Sequence, residues 1–265
     1  MMQTPANKTV RLNNGVEMPI LGLGAWQMSE GEETEQAVKW ALEAGYRHID
    51  TATLYGNETS VGKAIQEYTG ESGIAREEIF VTTKLLPTNF FDPEKAFHKS
   101  LERLGFAYVD LYLVHWPIPL MPKSVWLSLE KIYDDKLARA IGISNYGIGD
   151  IEKLLEYARI VPAVNQIKFS PFDYAEEILK CCRANGIALE AYSPLTRGSH
   201  LRDPAIRSIA EKYQKSPAQI MIRWCVEHDV IVIPKSSNSD RIKENADVFD
   251  FELGQEDMQI LDALS

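Results

Sequence analysis

The stretch GYRHIDTATLYGNE, residues 45–58, begins with the pattern of a buried strand and ends as a loop. Tyr46 and Ile49 favour the interior of a sheet, and two polar residues separate them. Asp50 ends the apolar segment, and Tyr55 follows five residues later. This segment therefore places a carboxylate at the tip of a predicted strand and a tyrosine in the loop beyond it.

Short apolar segments of this kind alternate with longer amphipathic segments along the chain. The eight predicted strands are 20–23, 47–49, 79–83, 109–114, 138–143, 163–166, 188–191 and 230–233. The helices predicted between and after them are 32–43, 58–68, 93–104, 125–134, 148–157, 176–183, 204–213, 217–227, 240–246 and 255–264. Alternation of this type implies parallel strands joined by helical crossovers.

The length of the chain, 265 residues, is near the ~250 typical of a (β/α)8 barrel. We therefore predict an α/β fold, a TIM barrel, as a single domain over residues 1–265, with an N-terminal β-hairpin and extra C-terminal helices. The hairpin is predicted at Asn13-Asn14-Gly15, because Asn-Gly suits the positive φ angles of a tight turn. A doubly wound open sheet is the alternative, but GLGAWQ, residues 22–27, lacks the third glycine of its fingerprint.

The composition is that of an ordinary globular protein, with 45% hydrophobic and 25% charged residues. The net charge of −10 argues against nucleic acid as a partner, because phosphate binding needs clustered Lys and Arg. No apolar run reaches the roughly 20 residues that span a bilayer, and MMQTPANKTV lacks the layout of a signal peptide. Cys181, Cys182 and Cys225 form no CxxC pair and no zinc spacing. We therefore expect a cytoplasmic protein with reduced cysteines and no membrane or nucleic-acid partner.

Two further predicted strands end in ionisable residues. The segment IFVTTK ends in Lys84, and the segment VDLYLVH ends in His115. In a (β/α)8 barrel the carboxyl ends of the strands and the loops after them form the face that carries the active site. The fold therefore brings Lys84 and His115 to the same mouth as Asp50. Tyr55 lies in the second loop at this mouth.

Each of these four residues alone has an ordinary structural explanation: a helix N-cap, a lysine reaching solvent, a packed histidine or a packed tyrosine. Together they suit proton donation. A phenol has a pKa of about 10, and a nearby ammonium lowers it, so Lys84 would lower the pKa of Tyr55. Asp50 would keep Lys84 charged in a buried site. His115 would orient the substrate oxygen, and Tyr55 would give its proton to a carbonyl oxygen that becomes an alkoxide.

A metal site is a second explanation of the same region. His48, Asp50 and His115 could ligate a cation together, but Lys84 would repel it, and the sequence shows no metal-ligand spacing. We therefore expect no metal. His48 lies two residues before Asp50 on the same strand face, and we interpret it as a hydrogen-bonded core residue.

Seven motifs, in order along the chain, resemble those of the aldo-keto reductase superfamily. Besides residues 45–58 they are TTKLL (82–86), LYLVHWP (111–117), GISNY (142–146), PAVNQ (162–166), AYSPL (191–195) and IPKSSNSDRIKEN (233–245). The chain is similar to the short prokaryotic members, of the 2,5-diketo-gluconate reductase type. The resemblance implies a catalytic tetrad with tyrosine as proton donor, made of Asp50, Tyr55, Lys84 and His115.

The resemblance also implies a nicotinamide site without a Rossmann fold. The predicted residues are Ser144, Asn145 and Gln166 for the carboxamide, Tyr192 for stacking on the ring, Ser193 and Leu195 for the pyrophosphate, Lys235, Ser236 and Arg241 for the 2′-phosphate, and Glu244 and Asn245 for the adenine. Ser, Asn and Gln side chains offer the donors and acceptors that an amide needs. A guanidinium fork beside an ammonium favours a phosphate, so we predict NADPH as the cofactor, with NADH binding more weakly.

Trp26 and Trp116 are predicted, again by resemblance, to wall the substrate pocket, with Met28 beside them. The loop WPIPLMPK (116–123) is brief, and the chain stops soon after Leu264. The resemblance therefore implies an open pocket that accepts varied aldehydes or ketones.

One segment departs from the family pattern. Lys168 and Ser170 stand where many relatives carry Glu and His. Both follow the predicted carboxamide contact at Gln166, so the departure concerns local packing or the rim of the pocket rather than hydride transfer.

We predict an NADPH-dependent reductase of aldehydes and ketones that acts as a monomer on a small carbonyl substrate. Two other functions are compatible with these residues. A cofactor-sensing binding protein of the same fold would retain NADPH with slow turnover, and a barrel hydrolase or isomerase would work without a nicotinamide. The complete tetrad favours the reductase.

Overall fold

The structure, a computed structural model, describes residues 8–118 and 123–265. Its centre is a sheet of eight parallel strands, β3 to β10, which neighbour one another in chain order. Strands β1 and β2 form a separate antiparallel hairpin. The strands are β1 Thr9–Arg11, β2 Glu17–Pro19, β3 Leu23–Gly24, β4 His48–Asp50, β5 Phe80–Leu85, β6 Val109–Val114, β7 Ala138–Ser144, β8 Val164–Lys168, β9 Ala188–Tyr192 and β10 Ile231–Ile233.

The sheet closes on itself between its first and last strands. Leu21 forms a parallel bridge with Val232, and the Val232 N–H donates to the carbonyl oxygen of Ile20 over 2.8 Å. The predicted (β/α)8 barrel is therefore confirmed. The predicted first strand, 20–23, differs most from the structure, because residues 20–22 pair with β10 whereas only Leu23–Gly24 pair with β4. Strand tilt in a barrel offsets the two neighbours of a strand in this way.

Helices alternate with the strands and follow the last of them. They are α1 Glu32–Glu43, α2 Glu58–Ser72, α3 Pro93–Leu104, α4 Lys123–Asp134, α5 Ile148–Leu155, α6 Glu176–Ala184, α7 Pro204–Tyr213, α8 Pro217–Glu227, α9 Ser239–Ala246 and α10 Gln255–Asp262. Most bounds lie within two residues of the prediction. Helix α2 extends four residues past its predicted end at Tyr68. The prediction ended where the apolar pattern stops, whereas the helix continues until Gly73, whose φ of 74° ends it. None of the helices in the described chain is long and apolar enough to cross a membrane.

The predicted hairpin is confirmed, and it closes the amino-terminal end of the barrel. Gly15 adopts a φ of 85° in its turn. The side-chain amide of Asn14 donates to the carbonyl oxygen of Arg139 over 2.9 Å, and that of Asn13 donates to Pro162 over 3.0 Å. The apolar cluster between hairpin and barrel contains Leu12, Met18, Phe80, Leu111, Leu113, Ala140, Ala163, Val164 and Ile231.

The lumen changes character above this apolar floor. A larger apolar cluster fills the space between the sheet and the helices. Inside the barrel, by contrast, polar side chains lie between the apolar floor and the carboxyl ends of the strands. Those that are at most 2% exposed include His48, Asp50, Thr82, Lys84, Gln166 and Glu190. The alternation of side chains along each strand therefore directs one buried polar set to the end where the loops begin.

Helices α2 and α3 approach closely at Gly62, which provides a stability test. A Cβ at Gly62 would lie 2.0 Å from the carbonyl oxygen of Leu104, whereas a Cβ at Gly70 of the same helix would meet open space. We expect Gly62→Ala to lower the free energy of unfolding by about 1–3 kcal/mol through overpacking. Gly70→Ala should raise it by about 0.5–1 kcal/mol, because alanine favours helix. Urea unfolding of both variants measures the difference, and equal effects would contradict the close packing.

Candidate active site

A cavity of about 700 Å³ opens at the carboxyl ends of the strands. Every site residue predicted from the sequence lines it except Lys84, which is fully buried beneath its surface, and Met28, which is buried and does not border the cavity. The predicted residues at the cavity wall are Trp26, Asp50, Tyr55, His115, Trp116, Ser144, Asn145, Gln166, Tyr192, Ser193, Leu195, Lys235, Ser236, Arg241, Glu244 and Asn245. The barrel therefore brings together residues that are far apart in sequence.

The Lys84 ammonium is the centre of the site. Its Nζ donates to both carboxylate oxygens of Asp50 over 2.6 and 2.7 Å, and to the carbonyl oxygen of Thr51 over 2.9 Å. It also donates to the phenolic oxygen of Tyr55 over 3.2 Å. An ammonium has three protons. One for Asp50, one for Thr51 and one for Tyr55 satisfy it completely, so the Tyr55 oxygen is an acceptor on this side.

The ion pair is stable in its charged form although it is buried. Burial, the largest single effect, would lower the pKa of Lys84, but Asp50 together with Tyr55 and Glu190 raises that pKa above its ordinary value. Burial raises the pKa of Asp50, and the Lys84 ammonium opposes the change. The short bonds between the two groups lead us to assign a carboxylate and an ammonium.

Tyr55 differs from the prediction in one respect. Its pKa is raised to about 12, and burial is the largest cause. The charge of Lys84 lowers this pKa, and the charge of Asp50 raises it further. Lys84 lowers this pKa as predicted, but removing the phenol from water outweighs the ammonium, so the pKa lies above that of free phenol. The consequence is that Tyr55 carries its proton throughout the neutral pH range.

Aromatic rings pack beside the Tyr55 ring. The Tyr55 ring centroid lies 4.9 Å from Trp26 and 5.7 Å from His115, and the His115 ring stacks on Trp116 at 3.9 Å. Burial and then the charge of Lys84 lower the pKa of His115 to about 2, so the imidazole is neutral. Trp26 and Trp116 are 37% and 38% exposed, so they stand at the mouth of the cavity. Met28 is buried, at 2% exposed.

Amide and hydroxyl groups form a second cluster across the cavity. The Asn145 amide donates to Ser144 Oγ and to the His115 carbonyl oxygen, both over 3.0 Å. The Tyr192 hydroxyl donates to Asn145 Oδ1 over 2.8 Å. The Gln166 amide nitrogen donates to Asp50 Oδ2 over 2.8 Å, which connects this cluster to the ion pair.

The far end of the cavity is cationic. Lys235 and Arg241 are exposed there, just after β10 and in the first turn of α9. The side chain of Asn238 caps α9 by accepting the N–H of Arg241 over 3.0 Å. Ser236, Glu244 and Asn245 complete this end. A cation in the loop before a helix and a second one in its first turn are suited to an anionic group.

Sequence reasoning missed two ionisable residues of the site. Glu190 is fully buried in β9, and its carboxyl group accepts from the Gln166 amide over 2.8 Å. Its signal was a carboxylate in the middle of the apolar strand ALEAY. Arg197 lines the cavity from the loop after β9 with a left-handed φ of 55°. A cation two residues after AYSPL was its only signal in the sequence.

The departing residues Lys168 and Ser170 bond within their own loop. Lys168 forms an ion pair with Asp173 at 2.7 Å, and Ser170 Oγ donates to the same carboxylate over 2.9 Å. Among the described residues neither of them lines the cavity. The loop 116–123 is described in part only, because residues 119–122 lie outside the described residues.

Two simpler predictions concern the core and metals. His48 is fully buried; its Nε2 lies 3.2 Å from Thr82 Oγ1, and burial lowers its pKa to about 3. Its Nδ1 has no hydrogen-bonding partner in the part of the chain that the structure describes, so this core histidine is only half satisfied. Within residues 8–118 and 123–265, no group of three or more His, Cys, Asp or Glu side chains could hold a metal ion.

Comparison with known proteins identifies the family. The family described as "Aldo/keto reductase family" matches residues 20–265. Glyoxal reductase of Bacillus subtilis is 48% identical, over 100% of this chain and 95% of that protein. The uncharacterized oxidoreductase YtbE of the same species is 47% identical over the same shares.

Solved structures give the same result. An aldo/keto reductase from Brucella melitensis superposes with a TM-score of 0.90 at 46% identity, covering 97% of this chain and 99% of that one. A Bombyx mori aldo-keto reductase in complex with NADP superposes with a TM-score of 0.91 at 37% identity, covering 99% and 93%. The resemblance found in the seven motifs is therefore confirmed: the chain belongs to the aldo/keto reductase family and is an oxidoreductase.

Proposed function

We propose that this protein reduces aldehydes and ketones to alcohols with NADPH, and that Tyr55 is the proton donor. The observation that supports this most directly is the hydrogen bond from Lys84 Nζ to the Tyr55 oxygen, 3.2 Å long. Because the oxygen accepts a proton from Lys84, its own O–H is free to point into the cavity. A carbonyl oxygen placed between Tyr55 and the neutral His115 would receive that proton as it becomes an alcohol oxygen.

The charged pair beneath Tyr55 favours this transfer. As the phenol gives up its proton, a negative charge develops on its oxygen. The Lys84 ammonium, which Asp50 and Thr51 hold in place, attracts this charge. The ammonium therefore stabilises the transition state more than the ground state. Reprotonation of Tyr55 from solvent through the open mouth would restore the donor.

The chemistry of the amide cluster fits a nicotinamide cofactor, which supplies the hydride when it is bound. Both N–H groups of Gln166 point to carboxyl groups, those of Asp50 and Glu190, so its Oε1 is the atom left to accept a carboxamide N–H. Ser144 and Asn145 border the same wall of the cavity, and the ring of Tyr192 offers a stacking surface. We assign the carboxamide to Ser144, Asn145 and Gln166, and the ring to Tyr192.

The cationic end of the cavity supports NADPH rather than NADH. We assign the pyrophosphate to Ser193 and Leu195, with Arg197 beside them. The 2′-phosphate would lie at Lys235, Ser236 and Arg241, and the adenine at Glu244 and Asn245. An exposed guanidinium and ammonium bind a dianionic phosphate more strongly than a ribose hydroxyl.

Trp26 and Trp116 make the substrate end apolar and open. A small carbonyl compound could therefore approach Tyr55 with little selection for the rest of its structure. A relative 48% identical to this chain is named glyoxal reductase, which makes small dicarbonyls the first substrates to test. We further propose a single domain that acts as a monomer, since one chain supplies the whole tetrad. A cytoplasmic location and the likeness to 2,5-diketo-gluconate reductases stay predictions.

Replacement of the proton donor is the first test. Tyr55→Phe should lower kcat for glyoxal and larger aldehydes by about 10²–10⁴-fold, the usual contribution of a general acid. NADPH affinity should change little, because the phenol does not belong to the proposed cofactor contacts. Consumption of NADPH is followed by absorbance. Tyr68→Phe is the control. It removes a hydroxyl that donates to the Leu42 carbonyl oxygen, far from the cavity.

Near-normal kcat in Tyr55→Phe would refute the assignment of the donor. Saturable NADPH binding without turnover of any carbonyl by the wild type would favour the cofactor-sensing protein instead.

Cofactor preference is tested at Arg241. Arg241→Ala removes a charge-assisted contact to phosphate, so it should weaken the binding of NADPH at least about tenfold and change the binding of NADH little. Dissociation constants for both cofactors can be measured by quenching of tryptophan fluorescence, since Trp26 and Trp116 line the cavity. Arg207→Ala removes another exposed arginine, in α7, and serves as the matched control. Equal losses for the two cofactors would show that Arg241 does not contact the 2′-phosphate.

A further inference from the structure

The buried carboxyl of Glu190 has no part in the mechanism proposed above. It lies directly beside Gln166 in the sheet, as its cross-strand partner between β8 and β9. Its Oε2 accepts from the Gln166 amide nitrogen over 2.8 Å. Its Oε1 has no hydrogen-bonding partner among the described residues. A buried carboxyl with one bond and one unused oxygen requires an explanation.

The contact fixes the orientation of the Gln166 side chain. One amide nitrogen donates to Asp50 on one side and to Glu190 on the other, both over 2.8 Å. The NH2 group must face Asp50, because its ionised carboxylate only accepts hydrogen bonds and an amide oxygen there would meet an acceptor. The two carboxyl groups therefore leave Oε1 of Gln166 as the atom not engaged by them, on a residue that lines the cavity.

We propose that Glu190 is a positioning residue for the cofactor: with Asp50 it holds Gln166 so that the amide oxygen meets the carboxamide of the nicotinamide. This proposal rests on the proposed function. Through Asp50, the same contact links the orientation of the cofactor to the Lys84 ion pair. Glu190 thus influences the position of the nicotinamide through Gln166 and does not contact the nicotinamide itself.

A purely structural pairing with His48 is the competing explanation. His48 Nε2 lies 3.6 Å from Glu190 Oε1, which is beyond hydrogen-bond distance, and 3.2 Å from Thr82 Oγ1. The bond to Gln166 is the shorter and better one. Burial, and after it the negative charge of Asp50, raise the pKa of Glu190 to about 8. The carboxyl is therefore neutral at pH 7, and glutamine at this position would resemble it in shape, charge and acceptor.

The raised pKa leads to a prediction about stability. The unfolded chain releases the Glu190 proton near pH 4.5, whereas the folded chain keeps it to about pH 8. The stability that this group contributes is full below pH 4.5 and is lost as the pH rises toward 8. Glu190→Gln lacks this loss, so its free energy of unfolding relative to the wild type should increase from pH 5 to pH 8.

Urea unfolding at pH 5, 6.5 and 8 measures this difference. The other groups that face Glu190, namely His48, Asp50, Lys84 and Tyr55, are present in both proteins, so the comparison reports mainly on position 190. A difference that is constant with pH would show that the carboxyl is ionised in the folded protein.

The positioning role is tested by binding. Glu190→Met removes the acceptor with little change in volume, and Glu190→Gln keeps it. We expect Glu190→Met to weaken NADPH by about 3–10-fold, the value of one hydrogen bond, and to lower kcat. Both variants should bind 2′-phospho-ADP-ribose, which lacks the nicotinamide, as the wild type does. Leu189→Met alters the adjacent residue, on the opposite strand face, and is the control.

Two further measurements separate positioning from structure. In a Gln166→Met background, Glu190→Met should have no added effect on NADPH affinity, because the group it holds is gone. In the wild type, the Gln166 side-chain amide resonances should titrate with a midpoint near pH 8, and this titration should be absent in Glu190→Gln. The NMR measurement does not depend on the folding of Glu190→Met.

The outcomes distinguish the two proposals. Two outcomes would make Glu190 merely structural. In the first, Glu190→Met weakens the binding of NADPH and of 2′-phospho-ADP-ribose to the same degree. In the second, Glu190→Met keeps its full effect on NADPH affinity in the Gln166→Met background. Normal NADPH affinity in Glu190→Met would also overturn the positioning role while leaving the reductase intact. A wild type that neither binds NADPH nor reduces carbonyls would instead refute the proposed function itself.

Discussion

The structure depends on one buried ion pair, between the ammonium of Lys84 and the carboxylate of Asp50. Removing either partner would leave an uncompensated charge in the barrel, which costs about 3–5 kcal/mol in typical cases. The pair is therefore possible only where neighbouring strands hold both groups at a fixed height. Strands β4 and β5 do so, because Asp50 pairs with Thr82 and Lys84 lies two residues further along the same face. Tyr55 and Gln166 are bonded directly to this pair, and Glu190 is bonded to it through Gln166.

The lumen is built in layers that make room for this pair. The hairpin and the inward-facing Phe80, Leu111 and Val164 form a dry floor, as hydrophobic packing requires. Above it, Gly22 leaves space for the His48 ring, since a Cβ there would lie 2.4 Å from Nδ1. Polar side chains then occupy the upper half, where the loops and the cavity begin. Apolar burial at one end thus offsets the cost of the polar layers at the other.

The sequence predicted the fold and the location of the site but not its energetics. Period and spacing were enough for eight strands, because inward and outward faces alternate, and strand ends revealed Asp50, Lys84 and His115. The pKa of Tyr55 could not be predicted, since desolvation depends on Trp26 and His115 packing around it. Glu190 could not be interpreted for a similar reason: its partners come from β4 and β8, which are distant in sequence. The left-handed φ of Ser193 and Arg197 is equally invisible without the loop geometry.

Charge balance explains why a carboxyl group can occupy position 190. One ammonium faces two carboxyl groups across the amide of Gln166, and no other cation forms an ion pair with either of them in the described chain. Two carboxylates sharing one cation cannot both ionise cheaply in a buried site, so one of them retains a proton. Lys84 touches Asp50 and not Glu190, which decides that Asp50 is the ionised partner. Glu190 is then a neutral acceptor beside a charged one, so that the amide between them is held firmly while the Lys84 ammonium keeps its full charge for Tyr55.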